Sequence, residues 1–323
     1  MPILGIIASS RSRGVGPIAL NGAGFIFVMR KDGSGTYANT SIQKFDFTTE
    51  SRTTLGAVMP DTSGAAAGFA NGTVAGYIAG GISSGTVALN TTQKLLYSTE
   101  ARTQIGNTFN NARFNNKGFT NTEGTSGYMG SGQDLSVFLQ SVRKLTYSTE
   151  AWSNVTSSLP VTKAGSSSFS NPSLAGFWAG GYDGSAPSLT VNKMPFSTET
   201  VAVTTALAIA TNNGGALSDT GHKAYIFNGW SSSVTQIVKW TYATDTNSAT
   251  AYVMADEATF SAYMSCPGQY GAVAGARLNP YPNVTDAIQK IAYATDVRTA
   301  SASVLAIAGE TSNYGTSSAT LGA

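Results

Sequence analysis

The sequence has little cysteine, histidine and charge, and each shortage excludes a class of site. Cys266 is the only cysteine, so no disulfide can form within the chain. His222 is the only histidine, which excludes any site that needs two histidines from one chain. Charged residues make up 11% of the 323 residues, against about 25% in an average soluble domain. The net charge is +2, so we expect no nucleic-acid partner.

Long hydrophobic runs are missing as well. No stretch approaches the roughly 18 apolar residues of a membrane span, so we expect no membrane insertion. A short apolar run ends at Ala8 and is followed by Arg11 and Arg13. A secretory signal would place positive charge before a longer apolar stretch. The 41% of apolar residues suffices for a folded core, despite 36 glycines.

An internal repeat organises the chain. One phrase begins with a lysine, alternates large apolar residues, and ends with Ser/Thr/Ala, Thr and an acidic residue. The six copies run from Lys44 to Glu50, Lys94 to Glu100, Lys144 to Glu150, Lys193 to Glu199, Lys239 to Asp245 and Lys290 to Asp296. Their lysines are 46 to 51 residues apart. A Gly-aromatic phrase precedes each copy, most clearly Gly76–Gly81 and Gly176–Gly181.

Each repeat predicts four short β-strands. β-Branched and aromatic residues cluster in short runs between Gly, Asn and Ser. The first and third residues after each lysine are large, as in Phe45 and Phe47, and an apolar residue such as Ile42 often stands two before it. A strand of this kind is covered on both faces. We interpret residues 201–210 as an outer strand and the Gly-Gly pairs as sites of close backbone approach.

Four strands per repeat and six repeats predict an all-β, six-bladed β-propeller over residues 21–323, preceded by an attachment segment of residues 1–20. The first repeat begins with the Gly-aromatic strand at Gly24, and the sequence ends with an unmatched inner-strand stretch, residues 314–323. We therefore expect the C-terminal strand to complete the first blade, which removes an unpaired edge. The alternative is that residues 17–20 fill this place.

The repeat resembles the kelch repeat. The third unit carries Arg113, Gly127-Tyr128, Tyr147 and Trp152 at the kelch Arg, Gly-aromatic, Tyr and Trp positions. Most units lack the tryptophan and have Ser or Ala where an Asp usually follows the tyrosine. The resemblance implies a kelch-like propeller from residue 22 to about residue 323.

The candidate catalytic groups point away from enzyme chemistry. The six acidic residues that end the repeated phrase recur once per blade, so they cannot converge as a glycosidase pair, which needs a separation of roughly 5–10 Å. We expect them to accept backbone N–H bonds in their turns and to pair with the lysines of the repeat. His222 is interpreted as a surface or turn residue and Cys266 as a small buried or loop residue. We expect no metal, no cofactor and no enzyme activity; a hydrolase or lyase is the least favoured alternative.

The loop after the Gly-Gly strand varies most between repeats. Among its residues, Tyr182, Asp183, Trp230 and Tyr281 are candidates for surface binding, because aromatic rings beside Asn and Asp suit contacts with sugars or proteins. The alternative is that these rings fill gaps between blades.

The first ten residues resemble the opening of tail-associated and fibre-like structural proteins of tailed bacteriophages. The Gly-aromatic and Tyr-Ser-Thr-Glu repeats are similar to propeller modules of such proteins. The resemblance implies a virion protein, assembled in the host cytoplasm in multiple copies, with other virion proteins and a host-surface glycan or protein as partners. It implies particle attachment through residues 1–20. In that segment Ile3, Leu4, Ile6 and Ile7 need an outside surface for burial, worth roughly 1.5–3 kcal/mol per side chain.

Two alternatives stay open. The apolar segment could cover the bottom or the channel of its own propeller. The propeller could also be a stand-alone module that binds glycans or proteins through its loops.

Overall fold

The chain forms an all-β structure. The computed structural model describes residues 22–27, 40–60, 65–72, 74–83, 87–121, 124–171, 173–219, 221–227, 229, 236–254, 261–266, 268–277, 284–305 and 314–317. These residues form 24 strands and no helix. They make six four-stranded antiparallel sheets, one for each predicted repeat.

The strands of the first three blades are β1 (Ala23–Phe27), β2 (Ser41–Asp46), β3 (Arg52–Val58), β4 (Ala67–Asn71), β5 (Ala75–Ala79), β6 (Thr92–Leu96), β7 (Arg102–Gln104), β8 (Lys117–Thr120), β9 (Ser126–Gly130), β10 (Ser141–Thr146) and β11 (Ala151–Ser158). Those of the remaining blades are β12 (Ser167–Asn171), β13 (Ala175–Ala179), β14 (Val191–Pro195), β15 (Ala202–Val203), β16 (Ala216–Asp219), β17 (Lys223–Phe227), β18 (Gln236–Thr241), β19 (Thr246–Val253), β20 (Ala262–Cys266), β21 (Tyr270–Arg277), β22 (Val284–Ala292), β23 (Arg298–Val304) and β24 (Tyr314–Ser317).

The last strand closes the first blade. That sheet has the order β24-β1-β2-β3, and β24 runs antiparallel to β1 with Ser317 opposite Gly24 and Tyr314 opposite Phe27. The other five sheets use consecutive strands, from the inner strand to the outer one. The innermost strands β4, β8, β12, β16, β20 and β24 contact one another in a closed cycle. The predicted six-bladed ring and its C-terminal closure are confirmed. The outer strand predicted over residues 201–210 is confirmed only in part, because β15 covers Ala202–Val203 and residues 204–210 form no strand.

The core consists of six apolar layers, one between each pair of adjacent blades. Phe45 and Phe47 of blade 1 pack against blade 6, around Met264. Ile42, on the opposite face of the same strand, packs toward blade 2 with Leu95. The remaining four clusters join blades 2 and 3, 3 and 4, 4 and 5, and 5 and 6. The two apolar faces predicted for the third strand of each blade therefore serve two different interfaces.

The Gly-aromatic phrase makes room for a side chain from the preceding blade. A Cβ atom placed on Gly176 would lie 1.9 Å from the ring of Phe119, whereas carbon atoms in contact lie about 3.5–4.0 Å apart. Gly127 meets Phe69 in the same way, and Gly271 meets Leu217. The repeated glycine therefore lets an inner-strand side chain of one blade reach the second strand of the next.

Hydroxyl groups satisfy the free edges of the inner strands. The Thr120 hydroxyl, in blade 3, donates to the carbonyl of Ala70 in blade 2 (2.7 Å) and accepts from the N–H of the same residue (3.2 Å). Ser218 accepts from the N–H of Ser170 in the same relation between blades 4 and 5. The buried hydroxyls of Tyr147 and Tyr242 join these two groups. Among the described residues, the innermost strand of each blade has no further strand beside it. Ser and Thr hydroxyls therefore bond to backbone groups at this edge.

Candidate functional site: the loop face

The alternation of strands gives the propeller two unlike faces. The turns from first to second strand and from third to fourth strand lie on one face, here called the turn face. The loops from second to third strand and the connections between blades lie on the other, here called the loop face. Gly22 belongs to the turn face, because its carbonyl accepts from the N–H of Phe47 in the turn after β2 (3.2 Å). The segment that precedes Gly22 therefore joins the propeller at the turn face.

The repeated lysines and acids form ion pairs between blades near the turn face. The described pairs that join a repeat lysine to the acid of the next blade are Lys44–Glu100, Lys94–Glu150, Lys144–Glu199, Lys193–Asp245, Lys239–Asp296 and Lys290–Glu50. Together they run once around the ring. Each acid takes a left-handed backbone conformation at the end of its turn, with φ between 51° and 61°. Because these side chains keep partial contact with water, each pair contributes about 0–1 kcal/mol.

The predicted pairing with lysines is confirmed, but its supposed local character is wrong. The hydrogen bonds that the structure gives these carboxylates come mainly from lysine and tyrosine side chains, such as Tyr128 to Glu199 at 2.8 Å, rather than from backbone N–H groups of their own turns. A lysine and the acid that follows it in one phrase belong to two different interfaces. The reason is that Lys44 lies on the same face of β2 as Ile42, and this face packs against blade 2.

Asp296 is the most strongly held of these carboxylates. Burial opposes its ionisation, but hydrogen bonds from Lys223 (2.7 Å), Lys239 (2.5 Å) and Tyr225 outweigh it and lower the pKa to about 2. Asp296 is therefore an anion at neutral pH and not a candidate general acid.

Two buried basic side chains fix the bases of the loops. The Arg113 guanidinium donates to the carbonyl of Ser141 (2.9 Å) and to its hydroxyl (2.7 Å), and so ties the start of the third strand of blade 3. Lys163 occupies the equivalent place in blade 4, where its Nζ lies 3.3 Å from the carbonyl of Thr190. Burial lowers the pKa of Lys163 to about 7. Neither group is available to a ligand, because both side chains are buried.

The Gly-Gly pairs bind the loops to the neighbouring blade. Gly180 and Gly181 both have positive φ, and the N–H of Gly181 donates to the carbonyl of Thr211 in blade 5 (2.7 Å). A Cβ atom on Gly180 would lie 2.7 Å from that carbonyl oxygen. This agrees with the interpretation of the pairs as sites of close backbone approach.

Asp183 shapes its own loop. Its Oδ1 accepts from the N–H of Ser185 (2.9 Å), the hydroxyl of Ser185 (2.7 Å) and the N–H of Ala186 (3.0 Å). These bonds, first the one from Ala186, lower its pKa to about 2. Asp134 makes the same turn with Ser136 and Val137 in blade 3. Both are exposed carboxylates in rigid turns.

Tyr182 lies where two neighbouring loops meet. Its ring is half-buried and meets the ring of Phe138, in the loop of blade 3, edge to face at 6.0 Å. Its hydroxyl donates to the carbonyl of Gly184 (3.1 Å). The contact between loops agrees with the gap-filling interpretation of this ring, and a role in binding stays a prediction.

Apolar side chains at the loop tips were missed by the sequence reasoning, which considered only aromatic and polar residues there. The side chains of Val87, Leu135, Val137 and Leu189 are 46–62% exposed on the loops of blades 2 to 4. A sequence signal that could have marked two of these loops as equivalent is the recurrence of Asp-x-Ser at Asp134 and Asp183, 49 residues apart.

The other candidate residues are distributed as follows. Trp230, Tyr281 and the segment with Ile3, Leu4, Ile6 and Ile7 lie outside the described residues. His222 is exposed in the turn after β16, as expected of a turn residue. Cys266 is buried at the end of β20, and burial raises the pKa of its thiol to about 11, so the thiol is not a nucleophile at neutral pH.

The described residues show neither a metal-binding cluster nor a membrane-spanning helix. No group of three or more His, Cys, Asp or Glu side chains among them is placed to hold a metal ion. None of the described residues belongs to a helix long and apolar enough to cross a membrane.

Comparison with known proteins supports the fold alone. No protein-family model matches the chain, and no curated protein matches it in sequence. Among 465 matching chains of solved structures, the structure of YjhT has a TM-score of 0.67 and 13% sequence identity. The match covers 83% of this chain and 92% of YjhT. At this identity the similarity establishes the propeller architecture and carries no information about activity.

Proposed function

We propose that the protein is a non-enzymatic structural component of a virion, in the tail or a fibre of a tailed phage. Its kelch-like propeller is attached through residues 1–20 and displays its loop face outward, toward a glycan or protein of the host surface. The chain would be assembled into particles in the host cytoplasm, in several copies, without a cofactor, nucleic-acid contact or membrane insertion.

The observation that carries this proposal is the position of Gly22. Gly22, which follows the segment with the phage-like opening, lies on the turn face, and the described loops of blades 2 to 4 lie on the opposite face. A particle bound at the turn face would leave these loops pointing away from it. A rigid frame that displays variable loops is a common arrangement for recognition.

The state of the polar groups supports a non-enzymatic role. The six repeated acids are each held by a lysine of a neighbouring blade, and Asp183 is held by its own loop. Arg113 and Lys163 are buried under the loops and bound to carbonyl groups. A general acid or base needs a pKa near the working pH and access to a substrate.

Deletion of residues 1–13 tests the attachment. We expect the truncated protein to keep its melting temperature and β-type circular dichroism, because the six sheets begin after this segment, and to be lost from purified particles. A truncated protein that still enters the particles, or that unfolds, contradicts the proposed attachment.

The second candidate is a stand-alone binding module. The exposed apolar side chains of the loops favour it, since they suit a binding surface with or without a particle. Co-purification with assembled particles distinguishes the two candidates, and turnover of a polysaccharide by the isolated chain would contradict both.

A further inference from the structure

The loop face of blades 2 to 4 carries exposed apolar side chains on neighbouring loops. Its members are Val87 in blade 2, Leu135 and Val137 in blade 3, and Leu189 in blade 4. Their loops are linked to one another. Phe138 meets Tyr182 between the loops of blades 3 and 4. The connection between blades 2 and 3 joins the loops of these blades, because the backbone N–H of Arg113 donates to the carbonyl of Leu89 (3.0 Å) and that of Phe114 donates to the carbonyl of Gln133 (2.9 Å). Exposed apolar surface on ordered loops is typical of a site that binds a partner.

The charge of this surface is negative. Within the described residues of these three loops (87–91, 131–140 and 182–190), the charged side chains are the carboxylates of Asp134 and Asp183. Their internal hydrogen bonds lower both pKa values, so both are ionised at neutral pH. The basic side chains of Arg113 and Lys163 lie buried below the surface. A complementary partner therefore presents aliphatic side chains beside positive charge.

The first residues of this chain have that composition. Ile3, Leu4, Ile6 and Ile7 are followed by Arg11 and Arg13, and residues 1–13 contain no acidic residue. Four aliphatic side chains and two guanidinium groups match an apolar surface that carries two carboxylates.

A path around the outside of blade 1 is too long for Arg13 to reach the loops of its own propeller, so residues 1–13 cannot bind there over their whole length. Residues 14–21 span at most about 29 Å when fully extended. A path from Gly22 around blade 1 must cross two strands (about 10 Å), descend the height of a six-residue strand (about 20 Å) and return inward by a similar width. This length limit does not apply to the loop surface of a second copy.

We propose that the loop face of blades 2 to 4 binds the N-terminal segment of a second copy of this chain, so that propellers associate head to tail. Such a contact uses different surfaces on the two copies and propagates as a stack. The proposal goes beyond the proposed function: only the copy nearest the particle would attach to it directly, and each further copy would bind to a propeller.

Sedimentation velocity of the full-length chain over a range of concentrations tests the proposal. We expect the sedimentation coefficient of the wild type to rise with concentration. Leu135→Asp should raise the concentration of half-association at least tenfold, and replacing Arg11 and Arg13 with Ala should do the same. A synthetic peptide of residues 1–13 should dissociate the stacks.

The chain offers a matched control. Leu174 has the same exposed fraction as Leu135, 62%, but lies in a turn of the turn face. Leu174→Asp should therefore sediment like the wild type. Val87→Asp and Val74→Asp form a second pair on opposite faces, in case one variant fails to fold.

Equal effects of Leu135→Asp and Leu174→Asp would overturn the proposal, as would a wild-type chain that stays monomeric at every concentration. A monomer in which Leu135→Asp alone increases proteolysis of residues 1–13 would show docking within one copy and would also overturn it. Failure of this proposal and failure of the proposed function can be distinguished. If the protein that lacks residues 1–13 still enters particles, the proposed attachment is contradicted, but the sedimentation result is unaffected.

Discussion

Substitution of Gly176 by alanine tests how the blades are held together. The added methyl group would lie 1.9 Å from Cε2 of Phe119, in the interface between blades 3 and 4. The Phe119 ring is itself confined, because it packs on Trp178 at 4.5 Å and on Phe196 at 6.0 Å. The overlap can be relieved only by moving a blade or forcing a strained rotamer.

The expected change in the free energy of unfolding follows from two opposing effects. Overpacking of a filled core costs about 1–3 kcal/mol. Alanine also restricts the unfolded chain more than glycine does, which returns about 0.4–1 kcal/mol. We expect the free energy of unfolding to fall by about 1–2 kcal/mol, measured by urea denaturation monitored by circular dichroism.

Gly56→Ala is the matched control. Gly56 also lies within a strand, but its Cβ position has no atom within 4 Å, so the substitution should be neutral or slightly stabilising. Phe119→Leu in the Gly176→Ala background should recover part of the loss, because leucine is smaller: a Cβ atom on the equivalent Gly271 would lie 2.5 Å from Leu217, against 1.9 Å between Gly176 and Phe119. Equal stabilities of the Gly176→Ala and Gly56→Ala proteins, or additive effects at 119 and 176, would refute the packing argument.

Two further predictions concern the charge under the loops and the closure of the ring. The pKa of Lys163 falls from 10.5 unfolded to about 7 folded, so between about pH 7 and 10 the unfolded chain binds the extra proton. The free energy of unfolding of the wild type should therefore rise with pH relative to Lys163→Met, by up to about 1.4 kcal/mol per pH unit, in denaturation curves at pH 6 to 9. Parallel pH profiles would show that burial does not lower the pKa of Lys163. Deletion of residues 314–323 removes the strand opposite Gly24–Phe27 and should lower the melting temperature by several degrees, whereas deletion of 318–323 keeps β24 and should not. An unchanged melting temperature after the longer deletion would mean that β24 does not close the ring.

The repeat was sufficient to predict the ring and its phase. A spacing of 46–51 residues is a property of the chain alone, and four strands fill that length. Because the first repeat starts at its second strand, a strand from the other end must supply the missing one. The alternation of Phe45 and Phe47 with Ile42 also showed that both faces of the strand are covered.

The partners across the interfaces could not be predicted in this way. Lys44 and Glu50 are neighbours in one phrase, yet Lys44 pairs with Glu100 and Glu50 pairs with Lys290. This pairing depends on the backbone φ of 54° at Glu50 and on which neighbouring blade each face of the strand packs against. Neither can be read from residue types. Likewise, Asp183 was a candidate for ligand contact, and the folded loop directs its carboxylate to Ser185 and Ala186.

The sequence by itself determined the number of blades, the order of strands within them and the way in which the ring closes, because these follow from period and connectivity along one chain. Only the tertiary structure decided which side chains meet between blades, that Arg113 and Lys163 are buried below the loops, and that the segment before Gly22 joins the face opposite the loops. Those features depend on how neighbouring sheets face one another across a few ångströms, and residues that meet there are often about 50 positions apart in the chain.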